Sequence, residues 1–137
     1  MKRFLAGVFV ACLGLPAIAS ANPGYTVDDV TLRAGPSTDY PRITVLPGGI
    51  SVEIYGCLDD YSWCDVATEY DRGWVSGYYV ESVYDNRRVI ISDYGPRIGL
   101  PILSFALGAY WLDHYSHRPW YRNRNSWERR HIPHGHA

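Results

Sequence analysis

Lysine and methionine are almost missing from this chain of 137 residues: the one lysine, Lys2, and the one methionine, Met1, open the sequence and neither recurs. In their place stand 12 Tyr, 5 Trp, 13 Gly and 9 Pro, a balance that favours short strands and turns over long helices. Charge is also modest. With 20% charged and 47% hydrophobic residues, the chain can bury a core, which excludes a wholly disordered polymer, a collagen-like repeat and a coiled coil. The length leaves room for one domain and no second.

Lys2 and Arg3 make a positive start, Phe4 to Ile18 an apolar stretch and Ala19-Ser20-Ala21 a small-residue cleavage site. Together they read as an export signal over residues 1–21, cleaved after Ala21. A retained membrane anchor is the weaker reading, because an apolar helix of this length rises only about 22 Å against a hydrocarbon core of roughly 30 Å. Cys12 sits inside the apolar stretch instead of following it, so it leaves with the signal and is not the better candidate for lipidation. The expected product is periplasmic or secreted. Cys57 and Cys64 then remain as an even pair, which in an exported chain reads as a disulfide. A metal site needs more thiolates or nearby histidines, and that half of the chain has neither.

The near-neutral total hides two unlike halves. From Asn22 to Asn86 there are three Arg against eleven carboxylates; from Arg87 to Ala137 there are eight Arg against three, together with all five His. The expected organisation is therefore an acidic module at residues 22–86 and a C-terminal extension at residues 87–137. Within the module, Tyr25 to Arg33 and Arg42 to Leu46 are strand-like runs, and Pro47-Gly48-Gly49 is a turn. Ser51 to Cys57 alternates at period two, with Val52 and Ile54 on one face and Glu53 and Tyr55 on the other. Leu58 to Tyr61 reverses the chain so that Trp63 to Val66 pairs antiparallel with it, bringing Cys57 and Cys64 within bridging distance. Gly73 to Ser76 and Glu81 to Tyr84 supply further strands around a tight turn at Gly77 to Val80. The reading is all-β, five to six short strands closing a small barrel, with an interior of Val30, Leu32, Ile43, Val45, Val52, Ile54, Val66, Val75, Val80 and Val83.

The run Val30-Thr31-Leu32-Arg33-Ala34-Gly35-Pro36-Ser37, then Tyr40-Pro41, Gly48-Gly49, Trp63-Cys64-Asp65-Val66 and Gly73-Trp74-Val75 resembles the bacterial SH3-like (SH3b) domains of exported proteins. The cysteine pair is similar to that of the disulfide-bearing branch. The stretch from Tyr94 to Trp111 resembles an extension that follows such domains in small exported proteins. The resemblance implies a five-stranded barrel and a non-catalytic binding role toward cell-wall peptide or another extended envelope polypeptide.

A small barrel has little interior to spare, so a ligand must sit on its surface, where flat rings give contact area at low entropic cost. Tyr40, Tyr55, Trp63, Trp74, Tyr78 and Tyr79 fall in or beside the expected loops and are the candidate groove, with Asp39, Asp59 and Asp60 placed to meet a cation. The competing reading makes Trp74 and one or two of the tyrosines core packing. In the extension, Val89 to Ile91 reads as an added strand. Residues 98–112 are apolar on both strand faces and broken by Gly99, Pro101 and Gly108, which suggests a buried or partner-covered strand or a surface-lying segment. Residues 113–137 form a basic, His-containing tail. Its Arg118, Arg122, Arg124, Arg129 and Arg130 alternate with aromatics, a pattern suited to anionic lipid, to the acidic module of a second copy, or to docking on its own module. Nucleic acid is disfavoured by export. His131, His134 and His136 are weak metal candidates, since an end without fixed geometry offers no second layer of support.

No nucleophile with its base is discernible, and the two mature cysteines are expected to be oxidised. Asp28-Asp29 and Asp59-Asp60 read as solvated turn charges. The sequence therefore points to a binding protein with no cofactor and no catalysis. Its alternatives are an envelope assembly factor acting through the extension and a metal binder acting through the His cluster.

Overall fold

The computed structural model describes residues 22–130 and residue 132. The expected export signal and His131, His134 and His136 lie outside the described residues. Eight strands form: β1 (Asn22–Thr26), β2 (Val30–Arg33), β3 (Arg42–Leu46), β4 (Ser51–Cys57), β5 (Trp63–Ala67), β6 (Arg72–Ser76), β7 (Val80–Tyr84) and β8 (Arg87–Ile90). They join in one antiparallel sheet of order β3-β2-β6-β5-β4-β1-β7-β8. The count exceeds five or six for two reasons. Residues 27–29 break the first run into β1 and β2, and β8, drawn from the extension, pairs with β7 from Tyr84↔Arg87 to Glu81↔Ile90. The ladder ends at β3 and β8, so two edge strands remain among the described residues.

Period-two alternation builds the core. Val30 and Leu32 of β2, Val52 and Ile54 of β4, Val66 of β5, Val75 of β6 and Val80 of β7 turn inward around Cys57 and Cys64. Each such aliphatic side chain contributes about 1.5–3 kcal/mol on full burial. Two expected interior residues face out. Val45 is 46% exposed and Val83 42%, because Leu46 on β3 and Val80 and Ser82 on β7 hold the inward positions and the pleat sends the next residue to the other side. Ile43 is half-buried. Cys57 and Cys64 are direct partners in the β4–β5 hairpin and are joined by a disulfide.

Residues 98–112 are not a strand. After a single helical turn, α1 (Ile91–Tyr94), and a 3-10 turn at Gly95–Ile98, the chain crosses the hairpin as an irregular strap. The Cys57 amide donates to the Pro101 carbonyl at 2.9 Å, and the Leu103 amide donates to the Cys57 carbonyl at 2.8 Å. Gly56 permits the crossing: a Cβ there would lie 2.6 Å from both Leu103 Cγ and the Pro101 oxygen. The chain then coils into α2 (Leu107–Tyr115), followed by a 3-10 turn at Pro119–Asn123 and α3 (Arg124–Arg129). Leu107, Trp111 and Tyr115 repeat every four residues and present one face. That face is buried with Ala34 and Tyr40 in a second core. The extension is thus a covering layer on the sheet.

Candidate functional site

Register sorts the outer face. Arg33 of β2 lies opposite Trp74 of β6, and Trp74 lies opposite Asp65 of β5. Trp63 pairs with Ser76. Residues directly opposite share a face, and residues two apart share it too. Thr31 and Arg33, Trp74 and Ser76, and Trp63 and Asp65 therefore all stand on the side of β2, β6 and β5 away from the valine core.

One half of this face is covered by the extension. Trp63 and Trp74 are 2% and 1% exposed, packed with Leu58 beneath Leu103, Phe105 and Tyr110. Phe105 meets Trp74 edge-on at 5.8 Å and Tyr40 at 5.4 Å, and Trp127 stacks on Tyr40 at 5.9 Å. Three side chains of α2 fasten the layer to three places. The Tyr110 hydroxyl donates to Asp65 Oδ1 at 2.6 Å, Trp111 Nε1 donates to the Ala34 carbonyl at 2.9 Å, and the Tyr115 hydroxyl donates to the Arg72 carbonyl at 2.6 Å. Asp65 is itself held by Arg72 through both oxygens, Nε to Oδ1 at 2.8 Å and Nη2 to Oδ2 at 2.9 Å. Burial opposes the Arg72 charge, but the Asp65 hydrogen bonds and charge outweigh it and raise its pKa. Burial, reinforced by Asp65, pushes the Tyr110 phenol far above its ordinary range.

The other half is open. A cleft of about 300 Å³ is lined by Asp28, Asp29, Thr31, Arg33, Thr38, Ser76 and the rings of Trp63 and Tyr79, with Val30 at its base. Its walls are fixed. The Gly48 amide donates to Asp29 Oδ1 at 2.9 Å, the Asp29 amide to Asp28 Oδ1 at 2.8 Å, and the Val27 amide to the Tyr79 carbonyl at 3.0 Å. Arg33 Nη1 donates to the Tyr40 carbonyl at 3.1 Å. Burial, then the neighbouring charge of Arg42, lowers the Arg33 pKa despite Asp39. The cleft offers two carboxylates, one guanidinium and two rings on rigid backbone, which suits binding by contact and charge.

The six candidate rings are therefore not one exposed groove. Trp63 and Tyr79 share the cleft, while Tyr40 and Trp74 are packed under the extension because its own rings cover them. Tyr55 is exposed but lies outside the cleft: the Arg72 guanidinium lies 3.8 Å above its ring, and its hydroxyl donates to Glu53 at 2.8 Å. Tyr78 is exposed and is not among the cleft-lining residues. Asp60 accepts from the Ser62 amide and hydroxyl, Asp39 is exposed, and Asp59 borders a separate hollow with Phe105. Sequence reasoning passed over Asp28, Asp29 and Arg33. Part of the signal was available, since Thr31 and Arg33 alternate with Val30 and Leu32 on β2 and Asp29 directly precedes them.

Of the basic extension, Arg124 lies over the Tyr121 ring at 4.5 Å and Arg130 over Trp127 at 3.9 Å. Arg122 donates weakly to the Pro119 carbonyl at 3.4 Å, Arg118 borders a polar hollow with His114 and His117, and Arg129 is exposed. These rings and guanidiniums are partly committed to each other and to the sheet. Among the described residues no cluster of three or more His, Cys, Asp or Glu could hold a metal.

Set against known families, residues 28–81 match the bacterial SH3 domain. Every residue lining the open cleft falls within the match, and Phe105, Tyr110 and the rest of the cover fall outside it. No curated protein and no solved structure matches the chain.

Proposed function

We propose, from the premise that residues 28–81 are a bacterial SH3 domain, that the protein is an exported, non-catalytic binding module. Its cleft between β2, β5 and the turn at Tyr79 takes an extended polypeptide of the cell envelope, a cell-wall peptide first of all. The observation that carries this reading is the division of the outer face: the chain's own extension occupies one half, and the remaining half is a preformed cleft with both rings and charges. Such a surface provides area chiefly from the exposed Tyr79 ring, with Trp63 as a buried backing, and orientation from Asp28, Asp29 and Arg33. Bacterial SH3 domains generally bind rather than catalyse, in keeping with this role. Export is supported by a fully buried disulfide, which fits an oxidising compartment. Among the described residues no helix is long and apolar enough to cross a membrane.

The test is sedimentation of the mature chain with purified cell-wall peptide fragments, comparing Thr31→Trp, which fills the cleft, and Tyr79→Ala, which removes its exposed ring. Both positions are on the outside of the sheet, so circular dichroism should be unchanged. Binding is expected to fall at least tenfold in both variants. Equal retention of wild type and both variants sinks the assignment of the cleft.

A further inference from the structure

We propose that the cleft is bipolar and selects a short linear peptide carrying a cationic group at one end and a free carboxylate at the other. This rests on the cleft being the binding site, as proposed above. Asp29 immediately precedes β2 and Arg33 closes it; both line the cleft, and the four residues of chain between them span at most about 14 Å when extended. Asp28 adds a second carboxylate at the first end. Each carboxylate spends one oxygen on a backbone amide, Asp28 on Asp29 and Asp29 on Gly48. The second oxygen of each has no hydrogen-bond partner among the described residues and is left for a ligand donor.

At the far end Arg33 is half-buried, gives Nη1 to the Tyr40 carbonyl, and has no carboxylate within ion-pair distance among the described residues, where Arg72–Asp65 takes that role instead. A half-buried guanidinium that feels the Asp39 charge but touches no carboxylate, with most of its donor fork unspent, suits a ligand carboxylate, which its planar geometry matches in bidentate fashion. Thr31, midway along the chain between Asp29 and Arg33, lines the same cleft together with Ser76, Trp63 and Tyr79. An extended chain spans about 3.3–3.6 Å per residue, so about four residues bridge the acid pair and the arginine.

The probe is tetra-alanine, titrated calorimetrically with both ends free, N-acetylated, or C-amidated, together with di-alanine as a peptide too short to reach both ends. Expected are a loss of at least tenfold on blocking either end, a similar loss for di-alanine, and growing salt sensitivity for the free peptide. In Asp28→Asn/Asp29→Asn, where the amide oxygens still accept from the loop, the acetylation penalty should vanish while the amidation penalty stays. In Arg33→Gln the reverse should hold, and Arg33→Lys should recover part of the carboxylate preference, which separates charge recognition from damage to the fold. If free and blocked tetra-alanine bind equally while Thr31→Trp still abolishes binding, the bipolar reading is wrong and the cleft remains a peptide site. If neither tetra-alanine nor cell-wall fragments bind at all, both readings fall together.

Discussion

Replacing Trp111 by alanine tests whether the extension is a structural layer or a tail resting on the barrel. Trp111 is 0% exposed, meets Trp120 at 4.7 Å and Trp127 at 5.9 Å, and donates Nε1 to the buried Ala34 carbonyl. Truncating a buried aromatic to alanine costs about 3–5 kcal/mol, and stranding a buried carbonyl costs about 1–3 kcal/mol more. Partial relaxation makes the sum about 4–6 kcal/mol. Set against a total stability of about 5–15 kcal/mol for a domain, that loss is close to ruinous. At about 4 °C per kcal/mol for a chain of this size, the melting midpoint should fall by roughly 20 °C. Urea and thermal unfolding followed by near-ultraviolet circular dichroism measure it, with Trp111→Phe as a milder partner that keeps an aromatic ring but loses the N–H and part of the buried volume. A companion chain ending at Asn86 should bind hydrophobic dyes and lose its near-ultraviolet signal, since Leu58, Trp63 and Trp74 are then uncovered. A loss below about 1 kcal/mol for Trp111→Ala, with the aromatic signal intact, would refute the reasoning.

Asp65→Asn leaves Arg72 half-buried without its countercharge and should cost about 3–5 kcal/mol, while Tyr110→Phe should cost about 1.5–3 kcal/mol; a double-mutant cycle in urea should give a coupling of at least about 1 kcal/mol, and additive losses would exclude the network. Tyr110 and Tyr115 are both held above the ordinary phenol value of 10.0, chiefly by burial. Their neutral forms are favoured by folding, so this contribution is complete below pH 10 and lost as pH rises beyond it. Unfolding midpoints should decline above about pH 10, less steeply in Tyr110→Phe. His114 works at the other limb: burial and then Arg72 hold it below 6.5, so stability should be lost as pH falls through 6.5, and His114→Gln should flatten that limb. Cys57 and Cys64 are 0% exposed, so dithiothreitol without denaturant should leave the bond intact over hours by mass analysis, whereas Cys57→Ala/Cys64→Ala should cost about 2.5 kcal/mol.

What sequence made readable was local. The Ser51–Cys57 alternation, the turn after it and the cysteine pair at opposite ends of one hairpin all lie within a few residues of each other, and pleat geometry turns them directly into β4, β5 and a disulfide. The cover was harder to read. Leu107, Trp111 and Tyr115 already carry a helical spacing, but the breaks at Gly99, Pro101 and Gly108 within a mostly apolar stretch masked it, because apolar residues on all sides fit either period. The candidate rings were misplaced for a related reason. Parity does put Trp63 and Trp74 outside the valine core, and an outside ring on a bare barrel would be exposed; the side chains that bury them, Phe105 and Tyr110, come from far along the chain. Asp28 and Asp29 are exposed turn charges, as the sequence reads them; that they also border a cleft with Trp63 and Tyr79 is set by residues far along the chain.

The strap across Cys57 sets an order of events. A chain that emerges from its N-terminus completes the β4–β5 hairpin before residues 100–103 are present to lie over it. An oxidant therefore has an early interval in which both sulfurs are within reach, and the later segment closes that interval by claiming the amide and carbonyl of Cys57. A chain still reduced when that layer docks would have to peel it back before an oxidant could reach either sulfur.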